Sequence, residues 1–459
     1  GRLSISLLLV CAAGALPPAP VRAAETILFT NTNDSDEGSL RWAIGQADDG
    51  DTIQVGPSIL GSTITLDSPL VVDKDLTILG PFTIRGWAHT GTPRRALEIA
   101  EDATVTISNV TVSSSGGIIE EGGGILNRGT LTFGGGLLFL NLAATRGGAL
   151  ANYGVATLGG LDVQSNGAVN GAAFYNAPGA TLRYTGGTFT TNNGDGSGGA
   201  IYNEGAMELT YVTFDRGSGK GDGGAIYNTG TMTITNAIFT MVTTTGKGGA
   251  IANAGTLTVN DAEFTYTQDN AGSDLGGAIW NAASGTLAMT DSSWLNSNAG
   301  VKGGALYTEG AATIVGASMR HCDADRGGAI YVGATGALTV TASWMQDNTA
   351  RTNAGGAICS EGSLTVRDST FMNNASSMDG GAILVEYGSV ADIRRSTVAY
   401  NSTSGCGGGI AVAGTLVLEN STLHANNAGS CGAGLCVSGA AESATVIHTT
   451  ISNSGGGTT

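Results

Sequence analysis

The densest group of titratable residues lies in the stretch "RHCDADRGGAI", where His321, Asp323, Asp325 and Arg326 fall close together. Carboxylates beside an imidazole and a cation are the groups that general acid–base chemistry uses. Cleavage of a glycosidic bond needs two carboxyl groups facing one site, about 5–9 Å apart. Glu204, Glu309 and Glu361 share one turn position of a repeating unit, but whole units separate them. No carboxylate pair among these residues is convincing, and a solvated turn accounts for the group from His321 to Arg326. His424 and His448 follow comparable strands and have no Cys or His partner at metal-ligand spacing. No catalytic residue, metal ligand or cofactor is assigned on this basis, and no enzymatic activity is expected.

The thiols are better placed. Outside the first segment, which contains Cys11, the cysteines are Cys322, Cys359, Cys406, Cys431 and Cys436. Cys406 stands four residues before Ile410, and Cys431 four before Leu435, so both take one turn position on consecutive units. One strand spacing, about 4.8 Å, lies inside the Cα separation that a disulfide accepts. A Cys406–Cys431 bridge is expected. The rival pairing of Cys431 with Cys436 is disfavoured, because the intervening Gly-Ala-Gly-Leu includes a strand start that should hold them apart.

These positions belong to a repeat. "GGAIYNTGTMTITNAIF" from Gly223 is followed by "GGAIANAGTLTVNDAEF" from Gly248. Indexed on the apolar residue of the first phrase, the units run from Ile125 through Ile201, Ile226 and Ile251 to Leu435, 24 to 28 residues apart. Such a period means a solenoid. Each unit holds three short runs with β-branched residues and period-two alternation, which argues for strands. The units are too short for propeller blades. The prediction is an all-β, three-sheet parallel solenoid of about 25 residues per coil.

Asn127, Asn152, Asn176, Asn203, Asn228, Asn253 and Asn281 recur two places after the index residue, and parity turns them inward. Buried amides must find partners, and a stacked column supplies them coil to coil. The paired glycines suit a corner with positive φ or close backbone approach, and no Walker-type Lys-Ser follows them. One place after the index, parity turns Tyr175, Tyr202, Tyr227, Trp280, Tyr307 and Tyr331 outward. An aromatic column of this kind stabilises a sheet or offers a contact surface. The second use is the basis for a binding role.

Composition narrows the partners. The 459 residues carry 20 basic against 37 acidic side chains, a net charge of −17, with no basic stripe for nucleic acid or an anionic membrane. Residues 1–24 read as a secretory signal, with Arg2 ahead of an apolar run too short to span a membrane. Residues 25–100 read as a cap and the first coils. Ser39 is a plausible N-cap for a short helix with Leu40, Ala43, Ile44 and Ala47 on one face. Residues 101–459 are the repeat.

The cap resembles the N-terminal region of secreted bacterial right-handed parallel β-helix proteins of pectate-lyase-like fold. Their CSLREA helix start corresponds here to Gly38-Ser39-Leu40-Arg41-Trp42-Ala43, without the leading Cys. The GGAI phrases, with Phe189-Thr-Thr-Asn192 and Phe371-Met-Asn-Asn374, resemble the GGAI and FxxN repeats of chlamydial polymorphic outer membrane proteins. The resemblance implies a right-handed β-helix that is secreted or displayed at the outer-membrane surface, adhesin-like or a spacer. It also implies contact with a host or environmental surface, protein or glycan. Membrane attachment would use an anchor beyond this chain. A polysaccharide-binding or polysaccharide-degrading β-helix is the alternative.

Overall fold

A computed structural model describes residues 22–86, 95–114, 119–269, 275–439, 441 and 443–455. The signal reading of residues 1–24 falls almost wholly outside them. The described chain winds as a parallel β-helix. Its three-residue strands, such as Ile226–Asn228, stack into a 15-stranded parallel sheet. Register runs index on index: Ile201 opposite Ile226, and Ile226 opposite Ile251.

The second and third strands of each coil share one 27-stranded sheet. In the N-terminal coils they form one bent strand, as in Thr181–Thr190, which passes through Gly186 at φ 67°. In later coils a left-handed residue separates them: Asn236 (φ 53°) stands between Thr231–Thr235 and Ile238–Thr240. A second left-handed column, including Met241, Tyr266 and His321, follows the third strand. These two columns fold one hydrogen-bonded ribbon into the faces of the coil. Left-handed φ suits Asn, Asp and Gly; a bulky residue there is strained.

The interior is built by repetition. Ile226, Met232, Ile234 and Phe239 of a single coil are all buried. Phe189, Phe214, Phe239, Phe264 and Trp294 stack with ring centroids 4.6 to 5.3 Å apart and planes within 9° of parallel. By size Trp344 is the residue of its coil that would join this column, but the structure turns it outward. Met345 pairs with Met319 and Phe371 and is buried, while Trp344 is 45% exposed. The inward residue stands three places after the left-handed one, here Ala342, and that frame overrides side-chain size. A slip of one residue reverses the face.

The amides of the Asn column point one way. Asn203 Nδ2 donates to Asn228 Oδ1 at 2.8 Å, Asn228 to Asn253 at 2.8 Å, and Asn281 to the Thr308 hydroxyl at 3.1 Å. The head of the column, Asn127 Oδ1, is buried without a donor among the described residues. Beyond Thr308 the corner turns largely apolar, with Val332, Val385 and Val412 buried. A second ladder then takes over at the corner after the third strand. Asn348, Asn374, Asn401 and Asn426 are joined by amide–amide bonds of 2.9 to 3.0 Å. Asn141, Asn166 and Asn192 form the same ladder in the N-terminal coils.

The helix Leu40–Gln46 covers the first coil. Ser39 Oγ accepts from Trp42 N at 3.1 Å, and Leu40, Ala43, Ile44 and Ala47 are buried. Lys74 Nζ donates to Ala47 O at 2.6 Å, a cation at the helix C-terminus. Among the described residues no helix is long and apolar enough to cross a membrane.

Candidate functional site

The paired glycines set the geometry of the site face. Gly223 has φ 73°, and a Cβ there would lie 2.0 Å from Ile226 O. The chain therefore doubles back over the outside of its own three-residue strand. The side chains of that outer column end up beneath the turn rather than in solvent. Tyr175, Trp280, Tyr307 and Tyr331, read from the sequence as an outward contact surface, are buried; Tyr202 and Tyr227 are half-buried. This corrects the binding-surface reading. Parity located the face, but a corner that folds back over it lies beyond what alternation can show.

Cations from the turns cap these rings. Lys247 Nζ lies 4.4 Å from the Trp280 ring centre, and Lys302 Nζ 4.2 Å from that of Tyr331. Arg146 stands 4.8 Å over Tyr175 and Arg326 5.4 Å over Tyr331. A desolvated cation over a ring contributes up to about 2 kcal/mol.

Two ionic clusters grow from this arrangement. In the first, Arg146 Nη1 donates to Tyr175 Oη at 2.7 Å, and the Tyr175 hydroxyl donates to Glu204. Arg146 also lies 3.7 Å from Glu121, to which Tyr153 donates. Burial, then the hydrogen bond to Glu121, pushes the Tyr153 phenol up to about 12. Burial and Glu204 push Tyr175 above its ordinary value in the same way.

In the second cluster Arg326 binds Glu361 at 3.2 Å and also pairs with Glu386, with Tyr331 Oη 3.5 Å away. Tyr307 Oη donates to Glu309 at 2.8 Å. Burial, then the hydrogen bond to Glu361, pushes Tyr331 up. Burial lifts the Cys359 thiol beneath the cluster to about 12. Phenols and thiols shifted upward keep their protons at neutral pH and do not serve as bases.

The structure separates the sequence-dense group. Arg326 turns to Glu361 and Glu386. Asp323 and Asp325 each lie 3.4 Å from Arg351, one coil on. Burial raises Asp323 against the pull of Arg351. His321 lies at the left-handed corner, φ 53°. His424 Nδ1 lies 3.1 Å from Ser452 Oγ, and His448 takes a left-handed corner of its own.

Sequence reasoning missed Glu386. It stands three places after Ile383, as Glu361 does after Ile358. Their strands are adjacent, Ile358 opposite Ile383. A carboxylate pair at one-coil spacing therefore exists, contrary to the sequence reading, and a single guanidinium bridges it. The signal was in the spacing, and comparing only Glu204, Glu309 and Glu361 overlooked it.

Cys406 and Cys431 form a disulfide with Cα atoms 4.5 Å apart. The ground for setting aside Cys436 does not hold, because Cys431 and Cys436 sulfurs lie 2.9 Å apart. The strand start does not separate them; the turn at Gly432, φ 54°, folds Cys431 over Cys436.

Fold and face together define a parallel β-helix with two Arg–Glu–Tyr clusters beside its 15-stranded sheet. Residues 257–455 match the family model of NosD, described as a periplasmic copper-binding protein. No curated protein matches the chain in sequence. Similar solved structures include a variant of the PL6-family alginate lyase AlyGC, 10% identical, covering 94% of this chain and 100% of that one with a TM-score of 0.24. Another is the GH136 lacto-N-biosidase from Eubacterium ramulus, 12% identical, covering 93% of this chain and 67% of that one with a TM-score of 0.25.

Proposed function

We propose that this protein is a non-catalytic β-helix of the cell envelope or surface, acting as an adhesin-like element or spacer. The observation that carries this reading is the pairing of the charged groups within the two clusters. Arg146 is shared among Tyr175, Glu121 and Glu204, and Arg326 between Glu361 and Glu386. Each bond links one coil to another, as the Asn ladders do, so the groups that could do chemistry hold the stack together. A cross-coil disulfide suits an oxidising compartment, and the matching family model is described as periplasmic. A contacted surface, protein or glycan, would meet the exposed side chains outside these clusters, such as Tyr211 and Tyr266.

The second reading is a polysaccharide-acting β-helix. It is favoured by one feature, the Glu361–Glu386 pair one coil apart. Incubation with acidic and neutral polysaccharides distinguishes the two. The proposal expects no unsaturated or reducing ends to form, and retention of some immobilised glycan or surface protein without turnover. Sustained product release by the purified chain would overturn it.

A further inference from the structure

The bridge between Cys406 and Cys431 has a third sulfur beside it that none of the foregoing uses. Cys436 Sγ lies 2.9 Å from Cys431 Sγ, nearer than the about 3.5–4.0 Å at which even non-bonded carbon atoms rest. All three cysteines are half-buried, within reach of solvent. They arrive from different places. Cys406 and Cys431 occupy one corner on consecutive coils. Cys436 lies on the strand Leu435–Val437, in register with Ala411. Gly432 makes the meeting possible, since a Cβ there would lie 2.8 Å from Cys436 Cα and Cβ.

A free thiol held against one sulfur of a disulfide is the arrangement from which thiol–disulfide exchange starts. We propose that Cys406, Cys431 and Cys436 form an exchange centre, in which the bridge moves between Cys406–Cys431 and Cys431–Cys436.

The step balances without any other reagent. The Cys436 thiol gives its proton to solvent, and the thiolate attacks Cys431 Sγ. The Cys431–Cys436 bond forms as the Cys406–Cys431 bond breaks. The electron pair leaves on Cys406, which takes up a proton. One disulfide and one thiol stand on each side. The first bridge joins two coils, whereas the second lies within one, so the move releases the covalent latch between the coils and leaves a thiol at the corner. Asp379 Oδ1 accepts from Cys406 N at 2.8 Å and keeps that corner in place. An open cavity of about 290 Å³, lined by the three cysteines with Leu384, Ala411 and Val437, gives the freed side chain room. Burial, then Asp379, raises the Cys436 thiol, so its thiolate is scarce at neutral pH and the move quickens as pH rises.

The test uses the full bridged chain, free of added thiol. It is held at mildly alkaline pH, quenched in acid to freeze exchange, unfolded there, labelled with a maleimide and mapped without reduction. Labels on the fully buried Cys322 and Cys359 confirm complete unfolding. Two linked pairs are expected, 406–431 with the label on Cys436 and 431–436 with the label on Cys406. Chains that are reduced, freed of reductant and reoxidised with diamide should relax to the same proportions. Cys436→Ser keeps both partners of the first bridge and should lose the Cys406 label entirely. A 406–431 pair alone in wild type, lasting different proportions from the two starting points, or an undiminished Cys406 label in Cys436→Ser would overturn the proposal.

Discussion

Replacing Asn228 with Leu should unfold the middle of the solenoid locally, and the cost can be worked from its bonds. Asn228 Oδ1 accepts from Asn203, and its Nδ2 donates to Asn253 Oδ1, Gly230 O and Thr256 O at 2.8 to 3.2 Å. Leucine removes all four. Asn203 Nδ2 keeps Gly205 O and Thr231 O, and Gly230 O keeps the backbone donor Thr256 N. Asn253 Oδ1 loses the donor found for it and is fully buried. An orphaned buried acceptor costs about 1–3 kcal/mol and each lost bond about 0.5–1.5. Counting the orphaned acceptor and the two amide–amide bonds, the expected total is about 2–6 kcal/mol. Asn228→Asp sharpens the test. Its carboxylate still accepts from Asn203 but cannot donate to Asn253 until protonated. A buried carboxylate with no cation has a raised folded pKa, so the variant should be least stable at neutral pH and recover as pH falls through that pKa. Urea unfolding with hydrogen exchange on peptides covering residues 198–260 reads both effects. Unchanged midpoint and protection in Asn228→Leu would show that the ladder contributes nothing and refute the reasoning.

Other outcomes follow from single contacts. Met241 is 49% exposed at φ 50°, so Met241→Asn should raise stability by about 0.5–1 kcal/mol, seen as a higher urea midpoint. A Cβ on Gly224 would lie 2.2 Å from Gly249 O, so Gly224→Ala should cost about 3 kcal/mol, with exchange protection lost on both coils. Hydrogen bonds from Arg394 and Arg367 outweigh the opposing effect of burial and hold Asp392 below its ordinary value. Its contribution is present above the unfolded carboxylate pKa and is lost as pH falls through the folded one, so Asp392→Asn should flatten the acid limb of the stability profile. Cys406→Ser opens a loop of 25 residues and should cost roughly 3 kcal/mol in the chain-entropy model. Non-reducing peptide maps of wild type should contain the linked 406–431 pair.

The solenoid was legible because a coil must match its neighbour. Ile201, Ile226 and Ile251 stand in register for the reason that they recur, and the inward Asn parity follows from the same alternation. Local frame was harder to read. Trp344 looks like the core residue of its coil by size, yet the left-handed Ala342 fixes Met345 inward, and left-handedness at an alanine leaves little mark in a sequence. The outer column was assigned to the correct side of its strand but to the wrong environment. Burial of Tyr331 depends on the turn before the next strand folding back at a glycine, a tertiary event. Glu386 was legible from its spacing and was overlooked. The sulfur cluster was half legible. Cys406 and Cys431 share a unit position, whereas the approach of Cys436 needs the corner at Gly432.

The most direct measurement for the account is the double variant Glu361→Gln, Glu386→Gln, compared with wild type for both thermal stability and turnover of polysaccharides. If the pair serves the stack, removing it strips the half-buried Arg326 of its carboxylates. The melting temperature should then fall, by about 1–2 kcal/mol of stability, with no turnover in either protein. A variant that melts like wild type and has lost a polysaccharide-cleaving activity that wild type possesses would contradict the account.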